Sequence, residues 1–371
     1  MSTSPKGRLD MFSMFGFAPI EIAEERLPFV MRSLTNVSDK EVQDIQDSLI
    51  RACSGICGYK SAGGFVLVSG SESNRTAMYL AKKTTGKNAV LATNLSHSSI
   101  KNAAKELGMK IILVDVDPEL GFKVNPKRLE QIIEQNKDEI ALVVTTQGTT
   151  QLGHFESLSD YPSTENYWIH SDAAYGGMVG GLTGQKIVAK GSRSITIDPH
   201  KFVGVLGCGL LLLPNPDDEK LIGNEVSYFR GRATALGTTR SAYPATVALS
   251  TMKMLGGEGL ERLAKDCIEK AKRAEQLFRE GGLKTIIPVQ TGIVPIKLNS
   301  ENEVRYVQTD LERKGYLVSP IEIRGTDSKN KPYQVYGIRM TVTPKPEMTQ
   351  ENIEKFCKAT IESYRNMKLI S

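Results

Sequence analysis

The sequence predicts an α/β protein with a mostly parallel sheet, helices on both faces, and a smaller C-terminal α/β unit. Three observations carry this reading. Short apolar runs alternate with segments of helical spacing. The pattern changes after Gly281-Gly282. The chain has 371 residues, 40% of them hydrophobic and 24% charged, enough to bury a sizeable core.

The elements follow in chain order. Ala89 to Ala92 is a short apolar strand after the Gly86-Lys87 turn. His97 to Leu107 has helical spacing, with Ile100, Ala103, Ala104 and Leu107 on one face. Lys110 to Val116 reads as a buried strand, and Pro126 to Asn136 as a helix with proline in its first turn. Ile140 to Thr145, Tyr167 to His170 and Ser194 to Ile197 are further strands. Thr246 to Gly282 is a long helical stretch broken at Gly256-Gly257. Then come a strand at Ile293 to Leu298, a helix at Asn302 to Lys314, a strand at Tyr333 to Val342, and a helix at Thr349 to Arg365. The division expected is an N-terminal helical segment at 1–55, a large domain at 56–281 and a small one at 282–371. The first segment does not fit the βα alternation and reads as an arm that packs elsewhere.

Composition narrows the function. The 47 Lys+Arg against 42 Asp+Glu are interspersed, so nucleic acid is not an expected partner. No stretch approaches the roughly 18 to 20 apolar residues of a membrane helix, and the N-terminus lacks a signal-like apolar run. The chain reads as soluble and cytoplasmic, without a membrane partner. Five scattered cysteines argue against a disulfide framework. Cys53 and Cys57 are four apart, but no second pair completes a zinc site, so no metal is expected.

Five segments carry possible chemistry. Ser194 to Ile197 stops at Asp198-Pro199 and delivers His200-Lys201 just past a strand end. A buried lysine there suits Schiff-base chemistry, and a surface lysine after a turn is the plainer reading. Asp172, at the end of the strand through His170, is followed by Ala173, Ala174, Tyr175 and two glycines. It can pair with a cationic ring nitrogen or simply cap a helix. Ser69-Gly70-Ser71 leads into a helix at Arg75 to Lys83, which suits either phosphate or an ordinary cap. His97 opens a helix and can lie over a ring. Thr145 to Thr150 ends a strand in a hydroxyl-rich turn. Neither a Walker loop nor a dinucleotide fingerprint is present.

Taken together the order is specific: phosphate cradle, stacking His, Thr turn, Asp, then Lys 29 residues later. It resembles the fold-type I enzymes that use pyridoxal 5′-phosphate (PLP). Asp198-Pro199-His200-Lys201 and the run His170-Ser171-Asp172-Ala173-Ala174-Tyr175-Gly176-Gly177 resemble the group II amino-acid decarboxylases, with the nearest likeness to the short archaeal tyrosine/aspartate decarboxylases. The resemblance implies an aspartate-aminotransferase-like fold with a seven-stranded sheet, and α-decarboxylation of an L-amino acid to the amine and CO2. Lys201 would hold PLP covalently, Asp172 would keep the pyridine nitrogen protonated, His97 would stack on the ring, and Ala174 would pack on its other face. Gly70, Ser71, Asp198 and His200 would lie around the phosphate, and Thr150 near the ring hydroxyl. Thr238 and Thr239 match a Gly-Thr-Arg segment that reaches a neighbouring subunit's site, which implies a homodimer with shared sites. Arg339 matches the arginine near the substrate carboxylate, and Tyr228 the mobile-loop tyrosine that protonates Cα.

The chain departs from the family in Glu156, where an Asp is usual, and in the loop Phe202 to Gly207, which lacks a Trp. A PLP-dependent carbon–carbon or carbon–sulfur lyase is the rival reaction. A silent scaffold is the rival outside catalysis, against which the Lys, Asp and His are all present.

Overall fold

The structure, a computed structural model, describes residues 9–11, 17–34, 39–59, 62–157, 161–162, 165–222, 236 and 239–370. Seven strands form the main sheet: β1 (Gly63–Leu67), β2 (Ala89–Thr93), β3 (Lys110–Val114), β4 (Ile140–Thr146), β5 (Trp168–Asp172), β6 (Ser192–Ile197) and β7 (Gly209–Leu213). Their spatial order is β1-β7-β6-β5-β4-β2-β3. The β3, β2, β4, β5 and β6 strands run parallel, and β7 runs antiparallel to both β6 and β1. The central strands β4 and β5 are buried at every residue, as their unbroken apolar runs require.

Three differences from the sequence reading have physical causes. Strand β3 is not buried: it is the last strand of the sheet and only Val114 is enclosed. Its apolar run KIILV looks like a central strand, but position in the sheet is a tertiary property. Strand β1 is unexpected because Gly63-Gly64 weakens its strand signal. At Gly64 a Cβ would lie 2.1 Å from the Leu211 carbonyl oxygen, so the close approach of β7 demands glycine. Strand β7 is all leucine after Gly209, which helical and strand readings share.

Helices cover the sheet: α1 (Lys40–Ile56), α2 (Gly70–Thr85), α3 (Ser98–Glu106), α4 (Pro126–Gln135), α5 (Gly176–Leu182) and α6 (Tyr243–Glu280). α1 is no detached arm. Its Val42, Leu49, Ile50 and Cys53 share one core with strand residues Val66, Ile195 and Leu212. α6 is interrupted at Gly256, where φ 63° and ψ 178° leave the helical region, at the break the sequence marks.

Beyond Gly281 the chain forms a three-stranded antiparallel sheet, ordered β8 (Ile293–Leu298), β10 (Pro332–Thr341), β9 (Ser319–Thr326). Helices α7 (Glu301–Arg313) and α8 (Gln350–Ile370) pack on it through Val304, Leu311, Ile353 and Phe356. Strand β9 was not expected: Pro320 disguises it, but Ser319, Ile321 and Ile323 alternate inward against outward Glu322 and Arg324. Leu9–Asp10 pairs with Tyr316–Leu317, and Phe17 bridges to Val203 just past Lys201.

Candidate active site

Ligands in an open α/β sheet bind beyond the carboxyl ends of its strands. Here β4, β5 and β6 deliver Thr146, Asp172 and Asp198 to one such edge. Together with the starts of α2 and α3 they enclose a cavity of about 220 Å³.

The α2 end is capped by Ser69 and Glu72. Ser69 Oγ accepts from the Glu72 amide at 3.3 Å, and Glu72 Oε2 accepts from the Val68 amide at 3.1 Å. Gly70 and Ser71 are therefore the first two helical residues, five positions earlier than the sequence reading. First-turn amides have no partner inside a helix, which makes this end an anion cradle. Both residues line the cavity.

His97 caps α3: its Nδ1 accepts from the Ser99 amide at 3.2 Å and lies 2.9 Å from Ser99 Oγ. Burial, and secondarily the charges of Lys201 and Arg339, hold its pKa below the ordinary imidazole value, against the pull of Asp172 and Asp198. Thr150 follows β4 in a turn that hinges on Gly148. There φ is +80°, and a Cβ would sit 2.7 Å from the Gly176 amide nitrogen.

Asp172 ends β5 and is buried. Its Oδ1 accepts from the Ala174 amide at 3.2 Å, and its Oδ2 accepts from Asn74 Nδ2 at 2.9 Å. After β6, the tight turn Pro199–Lys201 brings Lys201 back over Asp198, with Nζ 3.2 Å from Oδ2. His200 is held by its Nδ1, which donates to the Cys208 carbonyl at 2.6 Å.

Gly70, Ser71, His97, Thr150, Asp172, Ala174, Asp198, His200 and Lys201 thus all line one cavity. Arg339, on β10, does not line it. It is buried beside it, donating through Nη1 to the Thr150 carbonyl at 2.6 Å and through Nη2 to Ser319 Oγ at 3.2 Å. Thr239 is exposed and is not among the lining residues. Thr238 and Tyr228 lie outside the described residues. Sequence reasoning missed Asn74 and Tyr175, which also line the cavity. Asn74 looked like one more polar cap residue, and only the fold joins it to Asp172. No cluster of metal-ligating side chains occurs among the described residues.

The lining chemistry fits PLP. The amides of α2 and Ser71 suit a phosphate, the Asp172 carboxylate suits a protonated ring nitrogen, and the Lys201 amine suits an aldehyde. Ala174 and His97 offer small and flat walls to a ring. Asp198 Oδ1 is buried with no hydrogen-bond partner, which marks a cavity polar enough to hold a charged ligand.

Comparison with known proteins agrees. A probable L-tyrosine/L-aspartate decarboxylase of Methanococcus aeolicus is 25% identical over 363 residues, covering 90% of this chain and 88% of that protein. Lactobacillus brevis glutamate decarboxylase superposes with a TM-score of 0.82 at 14% identity, covering 98% of this chain and 90% of that one. A sphingosine-1-phosphate lyase of Burkholderia pseudomallei reaches a TM-score of 0.80 at 15% identity, over 97% and 87% of the two chains. The fold alone therefore does not separate the two reactions. The conserved domain of pyridoxal-dependent decarboxylases matches residues 71–296, and this chain belongs to that family.

Proposed function

We propose that Lys201, Asp172 and His97 carry the family's reaction, the PLP-dependent decarboxylation of an L-amino acid to the amine with release of CO2. The observation that supports this most is their convergence, with the start of α2, on one cavity at the strand ends. Bound PLP supplies an electron-accepting ring that takes up the electron pair left when the Cα–carboxylate bond breaks.

The chain's own residues do the rest. Lys201 would hold the cofactor through its amine, and Asp198 beside it would balance its charge. Asp172 keeps a proton on the ring nitrogen, and the two hydrogen bonds it accepts hold its carboxylate in place. His97 and Ala174, which both line the cavity, would wall the cofactor's ring on its faces and so help to orient the substrate. Ser71 and the α2 amides would bind the phosphate, Thr150 would lie on the side of the ring hydroxyl, and His200 steadies the Lys201 turn through the Cys208 carbonyl. Arg339 is the proposed partner of the substrate carboxylate, and Tyr228 the proposed proton donor to Cα. Thr238 and Thr239 belong with Tyr228 to the segment proposed to reach a neighbouring site.

The assembly we infer is a homodimer. Residues 17–34 pack against the lysine loop and the stretch before α6, with the Phe17 amide donating to Phe202 O at 3.1 Å and the Leu34 amide to Arg240 O at 2.8 Å. The same stretch turns Ile20, Leu27, Val30 and Met31 outward, Met31 to 92% exposure. A patch of this kind beside the active site supports a covering subunit, and two-fold dimers are the commonest assembly. The five cysteines are free, which fits a reducing cytoplasm. No helix among the described residues is long and apolar enough to cross a membrane.

The test is CO2 release from a panel of L-amino acids with added PLP, headed by tyrosine and aspartate because relatives carry those names. Release from one of them with equal formation of its amine supports the reading. Turnover without CO2 overturns it. Mixing inactive Lys201→Ala with inactive Tyr228→Phe protein tests the shared site, since exchange should restore activity.

A further inference from the structure

Asn74 lies on α2 with 1% exposure, and every polar atom of its side chain is engaged. Its Nδ2 donates to Asp172 Oδ2 and to Ser99 Oγ, both at 2.9 Å. Its Oδ1 accepts from Thr196 Oγ1 at 2.7 Å and faces His170 Nε2 at 2.9 Å. Two donated and two accepted bonds are the full capacity of the group.

The direction of each bond follows from groups that have only one role. The Asp172 carboxylate can only accept, so the amide nitrogen of Asn74 faces it and the amide oxygen faces His170. His170 Nε2 must therefore carry a proton. At the other end of the network, Trp168 Nε1 can only donate, and it lies 2.6 Å from Ser194 Oγ. Ser194 turns its own proton to His170 Nδ1, at 2.8 Å. Burial pushes the His170 imidazole down to about 4, so the ring is neutral and has one proton to place. Both ends of the network ask for it on Nε2.

The second arm reaches His97. Ser99 Oγ accepts from Asn74, which leaves its hydroxyl proton for His97 Nδ1 at 2.9 Å. The Ser99 amide donates to the same nitrogen at 3.2 Å. A nitrogen receiving two donors holds no proton of its own, so neutral His97 carries its proton on Nε2.

We propose that Asn74 is a positioning residue that fixes the Asp172 carboxylate and, through Ser99, the Nε2–H tautomer of His97, ordering both sides of the cofactor cavity from one side chain. This rests on the cofactor reading above, and goes beyond it by naming what orients the two groups.

Nitrogen-15 NMR of the histidine-labelled apoprotein tests the ordering without cofactor. His97 and His170 should both be Nε2–H tautomers. His200, which donates from Nδ1 to the Cys208 carbonyl, should show the opposite form and serves as the internal contrast. An Nδ1–H signal for His97 or His170 overturns the proposal. Ser99→Ala removes the hydroxyl donor and keeps the backbone amide on Nδ1, so it should shift the Nδ1 resonance of His97 by weakening its Nε2–H preference without reversing it, and leave His170 unchanged. A His97 unaffected by that change also overturns it.

A double-mutant cycle then tests the action on Asp172, read as PLP affinity from the visible absorption band. Asn74→Ala should weaken binding by about tenfold with Asp172 present, and by less than about threefold in Asp172→Asn protein. Equal losses in both backgrounds mean a merely structural role. Should wild-type protein show no band at all, the cofactor reading fails, and the tautomers of the apoprotein still decide the ordering.

Discussion

Lys201 Nζ lies 3.2 Å from Asp198 Oδ2, within a four-residue turn that follows the last parallel strand. The other Asp198 oxygen is buried and without a partner. A lysine on a surface turn needs no such company. This one is only 22% exposed and is held over a cavity by a carboxylate of its own turn.

That relationship makes the first prediction. Borohydride added to the PLP-loaded protein should fix the cofactor on Lys201 alone, read by mass spectrometry of the peptides. The Lys201→Ala protein should bind PLP without any reducible linkage. Fixation on another lysine would remove Lys201 from its proposed role.

Asp172→Asn should retain PLP, because the α2 cradle and the Lys201 amine are untouched. Its neutral side chain no longer favours a protonated ring nitrogen, so turnover should fall by on the order of a hundredfold or more. The readout is kcat at saturating PLP. Near-normal turnover would show that the ring charge is set elsewhere.

Much of the site was legible because its residues sit at strand ends, where a short sequence motif and a place in the fold coincide. Asp198 to Lys201 and Asp172 to Ala174 are of this kind. Asn74 was not legible. Its partners come from positions 25, 96, 98 and 122 residues away, and only the sheet order brings them together. The fold divides in the same way. Ile140–Thr146 announces itself by seven residues of strand-forming sequence, whereas Gly63–Leu67 hides behind glycines required by its neighbour. Lys110 to Val116 reads as one buried strand, whereas the strand ends at Val114 and lies at the sheet edge, of which its sequence holds no mark.

Gly70→Ala should cost cofactor binding more than folding. A Cβ there would lie 2.7 Å from Asp198 Oδ2 and 3.0 Å from the Ala174 methyl. Asp198 Oδ2 is the oxygen paired with Lys201, so the new methyl displaces that pair and narrows the cavity. Alanine is otherwise the better helix former, which offsets part of the strain. The expected result is an apoprotein melting within a few degrees of wild type and a PLP Kd raised by about tenfold or more. An unchanged Kd would place the cofactor away from Gly70.

Glu156 gives the pH prediction. It is buried behind the Thr146 turn, accepting from the Thr146 amide at 2.9 Å, Tyr161 OH at 2.8 Å and Thr93 Oγ1 at 2.9 Å. Burial nevertheless wins over these three donors and pushes its pKa up from 4.5 to about 7. A carboxyl that holds its proton more tightly in the folded state favours folding while protonated. Its contribution is complete below about 4.5 and is lost as pH rises through about 7. The difference amounts to at most about 3 kcal/mol. Glu156→Gln keeps a neutral group at every pH. Its Oε1 can accept from Thr146 and Tyr161, and its Nε2 can donate to Thr93 once that hydroxyl turns toward Ser96 Oγ, 3.3 Å away. Thermal melts of both apoproteins from pH 4.5 to 8 provide the check. The variant should match wild type at the acid end and gain on it steadily above about pH 5, ending a few degrees more stable. Parallel curves would mean that Glu156 is ionised throughout, with its three donors outweighing burial.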